Sequence, residues 1–148
     1  MFPNAKGSEL LSILATIDPA SQAAGAVSTG WVSAGNYFGL LAVVQTGVLG
    51  ASATVDAKFQ QALDSSGTGV KDISGKAIPQ IVKATGDNKQ VLVNVKPEDL
   101  DIVNSFGFVR LTVTVGVAAS FTAAQLLGVN PRYAPADAGN QAAVVQVI

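Results

Sequence analysis

Apolar and polar residues alternate through the middle of the chain with the period of a β-strand. In the stretch 54–60 the odd positions are apolar and the even positions are polar: Val55, Ala57 and Phe59 against Thr54, Asp56, Lys58 and Gln60. A period of two places one set on a buried face and the other in solvent. Turn-forming residues follow at 64–69, and residues 70–74 are a shorter, more polar run that can pair back. The pattern predicts a β-hairpin whose charges form a solvated face, with a sugar- or ion-binding face as the alternative.

The longest strand signal lies in residues 106–117. Apolar residues occupy one of its faces and polar residues the other: Val109, Leu111, Val113 and Val115 against Arg110, Thr112 and Thr114. Residues 121–129 follow as its predicted partner. Residues 38–45 are apolar on both faces, which is typical of a central strand, and residues 91–95 alternate cleanly.

Shorter runs complete the predicted set of strands. Residues 13–17 fit a helix or a strand, and we interpret them as a strand that ends at Asp18-Pro19. Residues 27–32 predict a strand that pairs with the central strand, and residues 78–82 predict another.

One short helical turn is predicted where Pro97 precedes the acidic residues Glu98, Asp99 and Asp101. Proline suits the first helical position, and carboxylates are stabilised at the positive end of the helix dipole. Calcium binding is the alternative, but a glycine-containing loop with alternating oxygen ligands is missing. About seven to nine short strands with Gly-rich turns predict an all-β fold, an antiparallel β-sandwich or jelly-roll-like barrel with this one helical turn.

The end of the sequence departs from the strand pattern. We predict a β-sandwich domain over 1–130 and, over 131–148, a linker broken by proline and glycine that leads to a strand-like arm. The apolar residues 142–148 are an aggregation liability when free, so we expect them to dock by strand addition on a neighbouring chain. The alternative is an edge strand of their own sheet. The candidate interface residues are Trp31, Tyr133, Val144, Val145, Val147 and Ile148.

The composition excludes most kinds of active site. The 148 residues fit one domain and include no histidine and no cysteine, which rules out disulfides, the usual zinc sites, Cys nucleophiles and His-based acid–base pairs. The sequence has neither a P-loop nor a Gly-x-Ser-x-Gly elbow. Asp56, Asp64 and Asp72 could form a glycosidase pair only if the hairpin face turned inward. We therefore predict a protein that is not an enzyme, with no catalytic residue, no cofactor and no metal site.

Charge and hydropathy narrow the choice of partners. A net charge of -1 with 13% charged residues provides no basic surface for nucleic acid. The hydrophobic fraction of 49% and the mean hydropathy of +0.40 are high, because soluble surfaces are usually about a quarter to a third charged. Part of the apolar surface is therefore expected to be covered by another chain. Neither a secretory signal nor a membrane-spanning run is recognised in the sequence, so we expect no membrane association.

Five segments carry a resemblance to a known family: ATIDPASQAAGAVSTGWVS, GLLAVVQTGVLGASATVDAKFQQALDSSGTGVKDISGKAI, DNKQVLVNV, VRLTVTVG and LLGVNPRYAP. Over about residues 15–135 the chain resembles small structural proteins encoded in the head gene clusters of tailed bacteriophages. The resemblance implies an all-β virion protein, a capsid decoration (cement) protein that binds the major capsid protein on the outer surface of the capsid. It also implies a homotrimer at local three-fold positions of the capsid lattice, and it offers no catalytic residues.

The sequence is also compatible with two other functions. A head-tail connector or tail structural protein would form rings with a few copies per particle, whereas a decoration protein is present in hundreds. A carbohydrate-binding head fibre module would need aromatic side chains on an exposed face, for which Trp31, Tyr37 and Tyr133 are the candidates.

Overall fold

Ten β-strands make up most of the computed structural model, which describes residues 4–133 and 135–148. They are β1 (Leu11–Gln22), β2 (Gly25–Ser28), β3 (Val32–Ser33), β4 (Tyr37–Thr46), β5 (Thr54–Ala62), β6 (Lys71–Ala77), β7 (Ile81–Val82), β8 (Gln90–Val95), β9 (Phe108–Gly116) and β10 (Ser120–Pro131). The helical elements are single turns: α1 (Gly7–Leu10), α2 (Lys83–Gly86) and 3-10 turns at Pro97–Asp99, Ile102–Asn104 and Ala136–Gly139. The all-β prediction and the turn at Pro97 are confirmed. The described residues contain more short helical turns than the one that was predicted.

The strands form two antiparallel sheets. The first sheet has the order β1-β10-β4-β8, and the second has the order β2-β9-β5-β6, with the two short strands β3 on β9 and β7 on β5. Without these two short strands the connectivity is that of a jelly roll, in which consecutive strands alternate between the sheets except at the β5–β6 hairpin. The prediction of an antiparallel β-sandwich or jelly-roll-like barrel is therefore confirmed, and the structure is a sandwich with jelly-roll connectivity.

The core lies between the two sheets and is built by the predicted alternation. Val55, Ala57 and Phe59 of β5 are buried, as are Leu40, Ala42 and Val44 of β4 and the apolar set of β9, namely Val109, Leu111, Val113 and Val115. Burying each Val, Leu or Phe side chain contributes about 1.5–3 kcal/mol. The predicted hairpin of β5 and β6 and the central position of β4 are likewise as expected.

Two predicted strand pairings are wrong. Residues 27–32 form β2 and β3, which pair with β9 rather than with β4. The ladder is interrupted at Thr29: its backbone N–H still donates to the Leu111 carbonyl at 2.9 Å, but its hydroxyl, rather than its carbonyl, accepts from the Leu111 N–H at 3.0 Å. β10 pairs with β1 and β4 rather than with β9. The connection between β9 and β10 changes sheets at Val117, whose φ of 70° bends the backbone.

Proline affects two strands differently from the prediction. Asp18-Pro19 does not end β1, which continues to Gln22 through a register shift between Ile17 and Ala20. A bulge at an edge strand accommodates proline because no hydrogen bond to a neighbour is lost there. The predicted strand 78–82 shortens to Ile81–Val82, since Pro79 has no N–H to donate to β5.

The 3-10 turn at Ala136–Gly139 closes one end of the sandwich. Tyr37 at the start of β4 donates a hydrogen bond to Ser12 Oγ at 2.9 Å, and Ser12 Oγ donates in turn to the Ala136 carbonyl. Gly139 lies so close to the Tyr37 hydroxyl that a Cβ atom there would collide with it. Part of the predicted linker is thus packed on the sheet that precedes it.

Candidate interaction surfaces

The outer face of the first sheet carries apolar side chains next to uncharged polar ones. On β4, Leu41 and Val43 alternate with buried residues and so point away from the core. The register continues this face across the sheet: Val43 lies between Gln125 and Leu92, and Leu41 lies between Leu127 and Asn94. Leu92 is 60% exposed. We call this surface the apolar face; its polar members are Thr16, Gln45, Gln90, Asn94 and Gln125.

A shallow groove of about 220 Å³ runs over the apolar face beside the bulge in β1. Its walls include Thr16, Asp18 and Pro19 on one side and Val43 and Gln45 on the other. Asp18 accepts a hydrogen bond from the Thr16 hydroxyl at 3.1 Å. Small-molecule sites usually have volumes of about 300–1,000 Å³, so the groove is smaller than that range.

Asn140 and Gln141 hold the end of the chain against β1. The Asn140 side chain accepts from the Ile13 backbone N–H at 2.7 Å, and the Gln141 backbone N–H donates to the Ile13 carbonyl at 2.8 Å. The Gln141 side chain also donates to the Thr16 hydroxyl at 3.3 Å. These bonds occupy the open edge of β1 at the position from which the last residues depart.

Residues 142–148, which we call the apolar tail, take no part in either sheet within the described chain. The edge-strand alternative is therefore not what the structure has, and docking on a neighbour stays a prediction. Val145 is 92% exposed, Ile148 is fully exposed, Val147 is exposed, and Val144 is half-buried. Four of the six predicted interface residues thus lie in an uncharged segment that the sandwich leaves largely in solvent.

The outer face of the second sheet is polar, and its side chains bind one another. Gln60 lies at its centre and accepts from Arg110 Nε at 3.0 Å and from the Thr112 hydroxyl at 3.1 Å. The Gln60 amide donates to Asp72 at 2.9 Å, and Lys58 forms an ion pair with Asp72 at 2.7 Å. These bonds from Lys58 and Gln60 hold the pKa of the Asp72 carboxyl below its ordinary value of 3.8. We call this surface the polar face.

Thr112 belongs to the polar face but is not a solvated residue. It lies on the predicted polar side of β9, yet it is 6% exposed because Ser28 and Gln60 cover it. Its hydroxyl shares a hydrogen bond of 2.7 Å with Ser28. The alternation predicted its side of the strand correctly, whereas its burial depends on neighbours that the sequence pattern did not identify.

The three candidate aromatic residues lie in different environments and do not form one platform. The Arg110 guanidinium lies 4.7 Å from the centroid of the half-buried Trp31 ring, a cation–π contact. Tyr133 is 80% exposed, whereas Tyr37 is buried at 5%. Trp31 and Tyr133 are predicted interface residues, and no contact with another chain tests either of them.

The acidic residues of the predicted helical turn bind cations and amides of the protein. Asp99 accepts from the Lys96 backbone N–H at 2.8 Å and pairs with Lys76 at 2.9 Å, which keeps the pKa of Asp99 below 3.8. Asp101 pairs with Lys71 and accepts from Asn104, and its pKa is lowered by these groups. Among residues 4–133 and 135–148, no cluster of three or more His, Cys, Asp or Glu is arranged to hold a metal ion. That same part of the chain has no helix with the length and apolar character needed to span a membrane.

No family model matches the chain, and no curated protein matches it. Similar solved structures include the family 22 carbohydrate-binding module of Clostridium thermocellum Xyn10B, with 15% identity, coverage of 88% of this chain and 91% of that chain, and a TM-score of 0.42. They also include the cowpea mosaic virus top component, with 10% identity, coverage of 84% and 91%, and a TM-score of 0.45. Triatoma virus gives 8% identity, coverage of 87% and 69%, and a TM-score of 0.46. Similarity at this level says nothing about the function of this chain.

Proposed function

We propose that the protein is a structural component of a phage virion, a decoration protein that binds the major capsid protein on the outer surface of the head. The observation that carries the proposal is the apolar tail, which leaves the sandwich with Val145 and Ile148 in solvent. An exposed, uncharged, β-prone segment is an aggregation liability unless a partner covers it. The resemblance to phage head proteins supports an assembly on a capsid, in which a neighbouring copy or the capsid protein covers this segment.

The apolar face supports the same proposal from a second part of the molecule. Leu41, Val43 and Leu92 lie on the outside of a four-stranded sheet, and the polar residues beside them are uncharged except Asp18 in the groove. Such a surface is suited to burial against protein. Many modest contacts repeated over a lattice raise the effective concentration of each one, so weak binding by each copy is sufficient to reinforce a capsid.

The charge of the chain favours the outside of the head over its interior. A protein packed against DNA needs a surplus of Lys and Arg to neutralise phosphates, and this chain has 9 basic and 10 acidic residues. A homotrimer at local three-fold positions is part of the proposal, because it is the assembly that the resemblance implies.

Binding to capsids lacking the protein tests the proposal directly. Wild-type protein should bind in hundreds of copies and should raise the temperature at which filled heads release DNA. Deletion of 142–148 should abolish binding without unfolding the sandwich, and a Gln146→Ala variant is the matched control that should bind normally. Unchanged melting of particles without the protein would refute the cement role, and only a few copies per virion would favour a connector or tail protein.

Carbohydrate binding is the second candidate, and the polar face is the observation that favours it. Arg110 lies over the Trp31 ring and is hydrogen-bonded to Gln60, and sugars are bound by guanidinium and amide groups together with aromatic rings. A glycan array tests this function. Binding that is lost in Trp31→Ala and retained after deletion of 142–148 would establish it in place of the decoration role.

A further inference from the structure

The outer edge of β8 is an open hydrogen-bonding edge in the described part of the chain. β8 is the last strand of the first sheet and pairs on one side with β4. The Thr46 backbone N–H donates to the Lys89 carbonyl at 2.9 Å, and directly hydrogen-bonded pairs alternate along an antiparallel ladder. Val91 and Val93 therefore direct their backbone groups to β4, whereas Gln90, Leu92 and Asn94 direct theirs away from the sheet.

The other three edges of the sandwich are less suited to receive a strand. The edge of β1 is occupied near Ile13 by Asn140 and Gln141. β2 has only 4 residues. β6 carries Lys71, Asp72 and Lys76, and charged side chains are a common protection against strand addition. β8 combines 6 residues with an uncharged sequence and the exposed side chain of Leu92.

The apolar tail matches the β8 edge in length and in side-chain pattern. Fully extended, residues 142–148 span about 23 Å, enough to follow the whole of β8. In that form Val145 and Val147 lie on one side and Val144, Gln146 and Ile148 on the other, and the first of these sides matches the side of Val91 and Val93, which are half-buried against the core. Gln146 lies on the other side, the side of Leu92 and the apolar face. Neither side would bring a charge onto the sheet.

The tail cannot make this pairing within its own copy. It leaves the sheet at β1, and β8 lies three strands away, about 14 Å at the usual strand spacing. Crossing that distance uses about four of the residues 142–148 and leaves too few to pair along β8. A chain that crosses the sheet also runs across the strand direction rather than along it. A second copy is thus the occupant that the geometry allows.

From this geometry we infer that the apolar tail of one copy adds as a strand to the β8 edge of a second copy. The inference deepens the proposed function, since it rests on the tail serving as a docking arm and specifies what the arm binds. The interface is heterologous, with a tail on one copy and an edge on the other, so it closes only as a ring or continues as a filament. A closed ring of three copies agrees with the proposed trimer.

Two complementary variants in solution provide the test. Deletion of 142–148 removes the tail and leaves the edge. Leu92→Pro removes a backbone N–H that points away from β4 at the open edge of β8, and it leaves the hydrogen bonds between β8 and β4 in place. Each variant alone should be monomeric by light scattering, whereas an equimolar mixture should give a 1:1 dimer and nothing larger. Leu92→Ala, which keeps the N–H, is the matched control: it should still self-associate on its own, more weakly than wild type because less apolar area is buried.

A cross-linking experiment keeps the test valid if Leu92→Pro fails to fold. The chain contains no cysteine, so Gln146→Cys can be mixed with Gln90→Cys, Leu92→Cys or Asn94→Cys under oxidising conditions. At least one mixture should give a disulfide-linked dimer, and Gln146→Cys with Ser74→Cys on β6 should not. A wild type that is monomeric at its highest soluble concentration, or an absence of cross-links to β8, overturns the inference. If the tail deletion abolishes capsid binding but leaves self-association intact, the inference falls and the proposed function stands.

Discussion

The apolar face and the polar face are built by the same strand alternation. They differ in whether their outward-facing side chains bind one another within the molecule. On the polar face, Gln60 accepts from Arg110 and Thr112 and donates to Asp72, which also pairs with Lys58. The hydrogen-bonding capacity of that face is largely used within the molecule. On the apolar face, Leu92 is exposed, its cross-strand neighbour is Val43, and the polar residues beside it on β8, Gln90 and Asn94, are uncharged amides. The comparison indicates that the second sheet stabilises the monomer whereas the first sheet is available for a partner.

The position of the apolar tail agrees with that division. Its anchor, Asn140 and Gln141, lies at the β1 edge of the first sheet, and Gln141 reaches Thr16 on the apolar face. The tail therefore departs from the same sheet that carries the apolar face. Both features would be covered if copies associate through this sheet.

The largest effect is expected in the core beneath the polar face. Leu111→Asn should lower the free energy of unfolding by about 3 kcal/mol or more, since it removes a fully buried side chain and buries an amide. Thr114→Asn, on the outer side of the same strand, is the control and should change it by less than about 0.5 kcal/mol. Urea denaturation measures both. Equal stability of the two variants would mean that the register of β9 is wrong.

A smaller loss is expected within the polar face itself. Gln60→Ala should destabilise the monomer by about 1 kcal/mol, because Arg110, Thr112 and Asp72 each lose a hydrogen-bond partner. The control is Gln80→Ala, whose exposed amide donates only to the exposed side of Asp56. Thermal unfolding should separate the two variants. Equal stability of the two variants would show that the hydrogen-bond network around Gln60 contributes no stability. It would contradict the conclusion that the polar face stabilises the monomer.

On the apolar face, a substitution should change binding to a partner rather than the stability of the monomer. Leu92→Ser should change monomer stability by less than about 0.5 kcal/mol, since the side chain is already in solvent. It should weaken self-association and capsid binding, because less apolar area is buried in the complex. Sedimentation and a capsid-binding assay measure these effects. A variant that loses stability but keeps its binding would contradict the assignment of this face to a partner.

Side-chain alternation was sufficient to predict the core and the fold class but not the pairing of the strands. Val55 to Phe59 and Val109 to Val115 alternate over enough residues to define which side is buried. Pairing depends on long-range contacts instead: β1 with β10 and β2 with β9 join residues about a hundred positions apart. The hydrogen bond from Leu111 to Thr29, which divides β2 from β3, has no counterpart in local sequence.

The candidate surfaces were only partly predictable for the same reason. The tail was predictable, because its apolar composition and the broken segment before it are local features. The apolar face was not, since it is assembled from Leu41 and Val43 of β4, Leu127 of β10 and Leu92 of β8. The one local signal was that residues 38–45 are apolar on both sides of the strand, which predicted a central strand rather than an outer binding surface.

The smallest expected effect is a pH dependence to which Asp72 of the polar face contributes, together with Asp99, Asp101 and other aspartates whose pKa is lowered. The pKa values of Asp72 and Asp99 are lowered below 3.8 by Lys58 and Gln60 and by Lys96 and Lys76. A carboxyl whose pKa is lower when folded stabilises the fold above its unfolded pKa and loses that contribution as the pH falls through the folded value. The free energy of unfolding should therefore be nearly constant from pH 7 to about 5 and should decline below about pH 4.

An Asp72→Asn variant should show a shallower decline below that pH, as measured by denaturation at each pH. Both proteins carry no histidine, so self-association through the uncharged tail and the β8 edge should be unchanged between pH 8 and about pH 5. The two properties should thus separate on acidification, with stability falling first and the interface unaffected until the fold is lost. An Asp72→Asn variant that keeps the full wild-type slope would show that the polar face does not control the acid response.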